Sequence, residues 1–575
     1  MDTSATTNHG ESNNANGGFS RRTFVKGGLA AGVAALGGMA LTGCAAAPAS
    51  SKQAAAADAA APTDEITARL VERVHDANLP DAAPILPVEP PASWDDEADV
   101  IIVGVGGGGI VATAFLAQQG LKVIGIEKEG QVGGASRHAC TFANVFGGSK
   151  DQNALEFSVP TFPPDVKAFT RMYEEQNSYS IDEKFLMNQL LMSGPACDWI
   201  MEQDGMNMEC FGPIWHDADV HSGKQSVVLG MDNPTNAMEA VALAAGADIR
   251  LSTKCEKLVA DGGRVVGIVA KGPDGAERFL KASKGVIMAT GDYVGNREML
   301  DFYAPDTRGL HQAILFRDGS GLCAAMGAGA QMTAPCHTKM VHGEGAPVRF
   351  EMPFLFLDRH GERFMDEGCC RMGYLNEFSK NYLAETGFED NTASKFFSIV
   401  PMNWQDYYEE WDALAPYDIS TNNAYRTVDP EKWLKADTLE ELAQAMIDYA
   451  DEQPWSHELT VEAVVASIER YNELVAAGSD DDFGKRREYL VPIEAPCYAV
   501  PRGANNIDAM LDGLEVDGNY QCLDVDRKPI AGLFAVGNAS GRFFGSGNYP
   551  MDIEGLSVGR AITTGFATGR HVAGL

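Results

Sequence analysis

Val100-Ile101-Ile102-Val103 is an unbroken apolar run of β-branched residues. Such a run predicts a strand buried on both faces, as the inner strands of a parallel sheet are. Ile110 to Gln119 has helical composition and stops at Gly120, and Leu121 to Ile126 predicts the next strand. Val265 to Val269 and Val286 to Ala289 predict later strands. Val461, Val464, Val465, Ile468, Tyr471 and Val475 recur at helical spacing and mark a core-facing stripe. Thr438 followed by Glu441 predicts a capping box. The apolar run Gly27 to Leu41 is too short and too rich in Gly and Ala for a membrane span.

Composition narrows the partners. The chain has 575 residues, 45% hydrophobic, with a net charge of −35. That apolar content supports a real core. The acidic balance excludes nucleic acid, whose phosphates demand clustered Lys and Arg, and excludes docking on anionic lipid through a basic face.

The N-terminus reads as an address. Ser20-Arg21-Arg22-Thr23-Phe24-Val25-Lys26 before the short apolar run has the form of a twin-arginine export signal, and Leu41-Thr42-Gly43-Cys44 the form of a lipobox with Cys44 as the lipidated residue. Membrane attachment is therefore expected by lipid anchor only, on the extracytoplasmic face of a bacterial cytoplasmic membrane. Cys44 to Ser93 is rich in Ala, Pro and Asp and predicts a tether, with one short helix from Thr63 to Ala77. The eleven cysteines form no CxxC or CxxCH, so neither zinc nor a c-type haem is expected.

The chemistry begins after the first strand. Gly104-Val105-Gly106-Gly107-Gly108-Gly109 opens the helix, and Glu127 closes the second strand. Strand, GxGxxG, helix, strand and acid form the dinucleotide fingerprint. Gly104 permits the tight turn, Gly106 lets backbone approach a pyrophosphate, Gly109 lets helix and strand pack, and Glu127 accepts from the ribose. Lys128 and the segment Gly133-Gly134-Ala135-Ser136 favour FAD over NAD, as does Ala289-Thr290-Gly291 after a later strand. No second GxGxxG follows a strand, so no separate NAD(P)H domain is expected and electrons would come from an external cytochrome or other redox partner.

On these motifs the chain resembles the FAD-dependent superfamily of soluble fumarate reductases, urocanate reductase and 3-ketosteroid 1-dehydrogenases. Further matching stretches are Asp318-Gly319-Ser320-Gly321, Gly361-Glu362-Arg363-Phe364-Met365-Asp366-Glu367, Gly532 to Asn538 and Gly555-Leu556-Ser557-Val558-Gly559. The resemblance implies an α/β fold: a Rossmann-like FAD-binding domain interrupted by a smaller α+β capping domain. The expected boundaries are signal 1–43, tether 44–96, FAD domain 97–330 and 501–575, and cap 331–500. FAD would be bound non-covalently, with Asn538 near its ribityl chain and Gly555, Leu556 and Ser557 near its ring. The implied chemistry is hydride transfer between flavin and a small-molecule alkene or ketone, completed by a protein acid.

The resemblance also marks catalytic candidates. Glu367 and Arg371 match a Glu-x3-Arg proton relay, though four-residue spacing equally describes an ordinary helix ion pair. His337 with Thr338 matches a substrate-contacting His-Pro-Thr without the Pro. Tyr549, before Pro550, resembles the ketosteroid-dehydrogenase tyrosine and is a candidate acid. Asp552 stands where dicarboxylate reductases carry a carboxylate-clamping Arg, and Phe396 to Asp406 contains no Arg. A fumarate activity is therefore not expected. The expected activity is reduction of an activated C=C bond in an enoate or enone. The alternatives are a dehydrogenase inserting a double bond beside a ketone, and a lipoprotein that binds flavin without turnover.

Overall fold

The structure is a computed structural model that describes residues 82–138, 181–206, 232–312, 314–342, 352–368, 395–407, 430–503, 506–545 and 556–575, with short pieces at 144–145, 170, 174, 209–210, 224–227, 381–382 and 411. The signal, Cys44, the helix expected at 63–77, Arg371, Tyr549, Asp552 and Gly555 lie outside the described residues.

β1 (Asp96–Val103) leads into α1 (Gly107–Gln118) and returns as β2 (Val123–Ile126), parallel to it with Val100 opposite Val123. After α2 (Glu183–Met201) and α3 (Asp232–Ala244), β3 (Asp248–Arg250) extends the sheet beside β2. The hairpin β4 (Lys254–Asp261) and β5 (Arg264–Lys271) feeds β6 (Glu277–Met288), which crosses back to lie parallel to β1. The expected strands at 265–269 and 286–289 are thus the middle of β5 and the end of β6.

Alternation decides where the side chains go. Ile101, Val103, Ile124, Ile126, Val286 and Met288 face one core, shared with the β4–β5 hairpin and the helix α4 (Ser320–Gly327). Val100, Ile102, Val123 and Ile287 face a second core filled by α1 and α3. A strand between two cores cannot afford a polar position, hence the unbroken apolar run. By the same reasoning α1 is buried on every side from Gly107 to Ala117.

A four-stranded antiparallel sheet follows, ordered β7 (Leu355–Leu357), β8 (Phe396–Pro401), β10 (Cys497–Arg502) and β9 (Leu434–Ala436). α5 (Leu439–Asp451) and α6 (Val461–Ala477) cover one of its faces. Thr438 Oγ1 accepts from Glu441 N at 3.1 Å, the cap the sequence predicts. On α6 the buried positions are Val464, Ile468, Tyr471 and Leu474. The other face carries Phe354, Trp404, Trp411, Trp433 and Tyr489. Lys339–His342, within the expected cap, pairs instead with Asn506–Met510, and Val341, Ile507 and Met510 join the first core.

The chain then returns to the large sheet. β11 (Gln521–Leu523) pairs antiparallel with β12 (Pro529–Ala535), which lies parallel to β6. α7 (Leu556–Ala573) packs on α1. This Rossmann-like domain interrupted by an α+β unit is the fold expected. Residues 82–94, expected as tether, lie against the domain: Ile85 N donates to Cys323 O (2.9 Å) and Val88 N to Leu258 O (3.0 Å).

Candidate active site

The glycine turn after β1 is shaped by contacts that forbid side chains. Gly104 has φ +88°, and a Cβ on it would lie 2.6 Å from Ala289 O. One on Gly109 would lie 2.0 Å from Gly104 O. Gly106 differs: the nearest atom to its Cβ position is Gly133 O, 3.9 Å away. Its open side is space the protein leaves for something else. Gly133 N donates to Val105 O at 2.7 Å, joining the second glycine pair, Gly133-Gly134, to the turn. Ala135 and Ser136 follow in a short 3-10 helix, and Ser136 Oγ lies 2.4 Å from where a Cβ of Gly107 would be. The hydroxyl thus sits against the first turn of α1, where free N–H groups and the positive dipole end favour an anion.

Glu127 is buried, and its two oxygens accept from Val105 N (2.9 Å) and Glu129 N (3.0 Å). Burial raises its carboxyl above the usual range despite those bonds. Lys128, expected to touch the cofactor, points elsewhere. Its ammonium pairs with Asp318 (3.2 Å) and bonds to Phe316 O, tying β2 to the loop before α4. Asp318 is also held by Ser320, and these donors outweigh burial and lower its carboxyl. Next to this tie is a cleft of about 370 Å³ lined by Glu129, Gly130, Gln131, Gly134 and Phe316.

The C-terminal helix closes the cradle. A Cβ on Gly108 would be 2.6 Å from Ala561 O, and one on Gly565 only 2.2 Å from Gly108 O. Farther along, Phe115 meets Phe566 (5.0 Å between centroids) and Gly569. α1 and α7 therefore run in the same direction, with both N-termini at one end of the site. Like dipole ends side by side repel unless an anion lies between them. Leu556 and Ser557, both buried, open α7 about 7 Å upstream of the Gly108 contact.

Beside these helices, Ala289-Thr290-Gly291 follows β6 and meets Gly104, and Gly537-Asn538 follows β12, Gly537 meeting Ala561. The Thr290 hydroxyl and the Asn538 Oδ1 are buried and have no partner among the described residues. Arg560 of α7, buried and missed by sequence reasoning, donates to Leu511 O (2.7 Å) and Gly537 O (3.0 Å) and stacks on Phe543 and Phe544. An arginine in the otherwise small and apolar first turns of α7 was the signal available. Arg542 and Arg297 are both committed, to Asp182 and to Asp301.

Of the four catalytic candidates, His337 and Glu367 are among the described residues. His337 is fully buried: Nδ1 is 2.6 Å from Tyr293 Oη, Nε2 is 2.9 Å from Thr333 O, and the ring stacks on Tyr303. Burial lowers its pKa. With both nitrogens engaged, it is placed as a core histidine. Glu367 is buried in the cap, accepting from Arg363 Nη2 (2.8 Å), Phe356 N (3.2 Å) and Lys485 Nζ (3.3 Å). Arg363 also grips Asp480 at 2.7 Å. Among the described residues Glu367 is paired with Arg363, four residues before it; Arg371 lies outside them.

A glycine-floored turn at the N-terminus of α1 suits a pyrophosphate, Glu127 a ribose, and the Thr290 hydroxyl and Asn538 Oδ1, without partners among the described residues, a polyhydroxy chain. This cradle fits FAD, and it defines a FAD-dependent oxidoreductase. Residues 99–550 match the model of the family described as FAD binding domain, and the chain belongs to that family. It is similar to the vinyl phenol reductase of Lactiplantibacillus plantarum, 27% identical over 516 residues, 83% of this chain and 97% of the relative. Similarity to the digoxin reductase of Eggerthella lenta, 26% identical, covers 97% of each chain. The solved 3-ketosteroid-Δ4-(5α)-dehydrogenase of Rhodococcus jostii RHA1 shares the fold, with TM-score 0.61 and 24% identity over 85% of this chain and all of that one. The superfamily expected from the sequence is borne out.

Proposed function

We propose that this chain is an exported, lipid-anchored flavoprotein that reduces an activated C=C bond in a substrate other than a small dicarboxylate. The observation that carries the reading is in the sequence: Asp552 stands where dicarboxylate reductases carry a carboxylate-clamping Arg, and Phe396 to Asp406, the stretch that would carry their catalytic Arg, has none. Vinyl phenol reductase, aligned over 97% of its own length, supports an alkene conjugated to an aromatic ring. FAD, once bound and reduced by the external donor, would supply the hydride. Gly104, Gly106, Gly133, Gly134 and Ser136 hold its diphosphate, Glu127 its ribose, and Thr290 and Asn538 its polyol. Tyr549 gives the proton, a neutral phenol suiting an apolar pocket. Twin-arginine export of the folded chain and lipid on Cys44 place it outside the cytoplasmic membrane, and a cytochrome or quinol-linked protein delivers its electrons.

The test is anaerobic. Holoprotein reduced with viologen is offered 4-vinylphenol, cyclic enones, cinnamate-type enoates and fumarate, and return of flavin absorbance near about 450 nm is followed. Reoxidation by a vinyl phenol, enone or enoate and none by fumarate is the expected result. Rapid turnover driven by NADH alone would remove the external donor. Faster dye-coupled oxidation of saturated ketones would favour the dehydrogenase direction, and no reoxidation by any of these compounds a non-catalytic flavin carrier.

A further inference from the structure

Asp292 lies directly after Ala289-Thr290-Gly291 and is buried, as is Arg317, which arrives from the loop before α4. Arg317 Nη1 meets Asp292 Oδ2 at 2.5 Å, and Arg317 Nη2 donates to Asp508 O. Val294 N donates to Asp292 Oδ1 at 2.9 Å. The remaining capacity of Asp292 Oδ2 is taken by Asn538, whose Nδ2 donates to it at 3.2 Å. One carboxylate thus joins the loops after β6 and β12 to the arginine.

This arrangement decides which end of Asn538 is free. A carboxamide can turn over, exchanging donor and acceptor, unless a partner accepts only one of them. Ionised Asp292 accepts only, so Nδ2 must face it and Oδ1 must face away. That oxygen is the buried atom without a partner among the described residues. An unpaired buried carbonyl costs about 1–3 kcal/mol, which a hydroxyl donor would recover.

We propose that Asp292 and Arg317 are positioning residues that fix the Asn538 carboxamide with its oxygen toward the cofactor, where it accepts from a hydroxyl of the flavin's sugar-alcohol chain. Arg317 holds Asp292 in place; Asp292 sets the amide. The pair would act whichever substrate the enzyme takes.

Release of FAD from holoprotein, read as the rise of free-FAD fluorescence, tests this together with the melting temperature. Asn538→Ala should speed release about tenfold with little change in melting of the FAD-free protein. Asp292→Asn should speed release several-fold, and the double variant should release no faster than Asn538→Ala alone, because the pair works only through that amide. If Asp292→Asn does not fold, Arg317→Lys takes its place in the cycle, keeping the charge but losing the fork. Unchanged release in Asn538→Ala would overturn the proposal. So would multiplying effects in the double variant, which would mean that Asp292 and Arg317 serve packing alone.

Discussion

Gly106 and Gly109 stand three positions apart under opposite constraints. A methyl on Gly109 would sit 2.0 Å from Gly104 O, backbone that cannot yield, whereas one on Gly106 meets only Gly133 O at 3.9 Å. Gly109→Ala should therefore lower stability by about 3 kcal/mol, measured by denaturant unfolding. Gly106→Ala should cost the FAD-free protein no more than about 1 kcal/mol, yet yield nearly colourless preparations because its methyl fills the diphosphate's place. These glycines were readable in sequence because what demands them is local: a turn, a helix start, a strand a few residues away. Lys128 was not, since the Asp318 that claims it stands 190 positions downstream. Asp292, Arg317 and Arg560 escaped notice for the same reason: their partners, each other's charges included, lie in loops that only the folded chain assembles. His337 matched a motif in sequence, but its burial against Tyr293 and Tyr303 could not be read there.

The meeting of α1 with α7 depends on glycine as well, at the level of the element. Gly565→Ala would drive a methyl within 2.2 Å of Gly108 O and push the helices apart. A loss of about 1–3 kcal/mol and a weaker grip on FAD are expected together, by melting with and without added cofactor. In the cap, the element-level device is the cluster of Arg363, Glu367, Asp480 and Lys485. Glu367→Gln leaves two cations facing one carboxylate and should cost about 3–5 kcal/mol. Burial works to raise Asp480, but Arg363 and the N–H groups of Lys485 and Phe483 prevail and lower it from 3.8 to about 2. Its stabilising effect is therefore complete above about pH 4 and lost as pH falls toward 2. Acid unfolding of Asp480→Asn should lack that final decline. The helix stripe at Val464, Ile468 and Tyr471 was readable from spacing; the order of β7 to β10 was not, because their short apolar segments carry no signal of which neighbour each will choose.

For the whole molecule, a net charge of −35 draws cations from a distance. Reduction by a cationic viologen radical should slow several-fold between about 20 and 300 mM salt, followed by stopped-flow absorbance, while a neutral reductant should show little dependence. The division into a sheet-based domain and an inserted α+β unit was visible in the sequence because the family's motifs come in a fixed order. Where each unit begins was not, since Lys339–His342 belongs by sequence position to the cap and by pairing to the other domain. The partnership of α1 with α7 also bears on how the protein matures. The glycine turn and the start of α1 form early in synthesis, but the helix that packs against them lies in Leu556–Ala573, more than four hundred residues later. A nascent chain cannot retain its prosthetic group until that last helix has left the ribosome, so flavin loading is post-translational, and a C-terminal deletion removing the helix should leave a translated but flavin-free polypeptide.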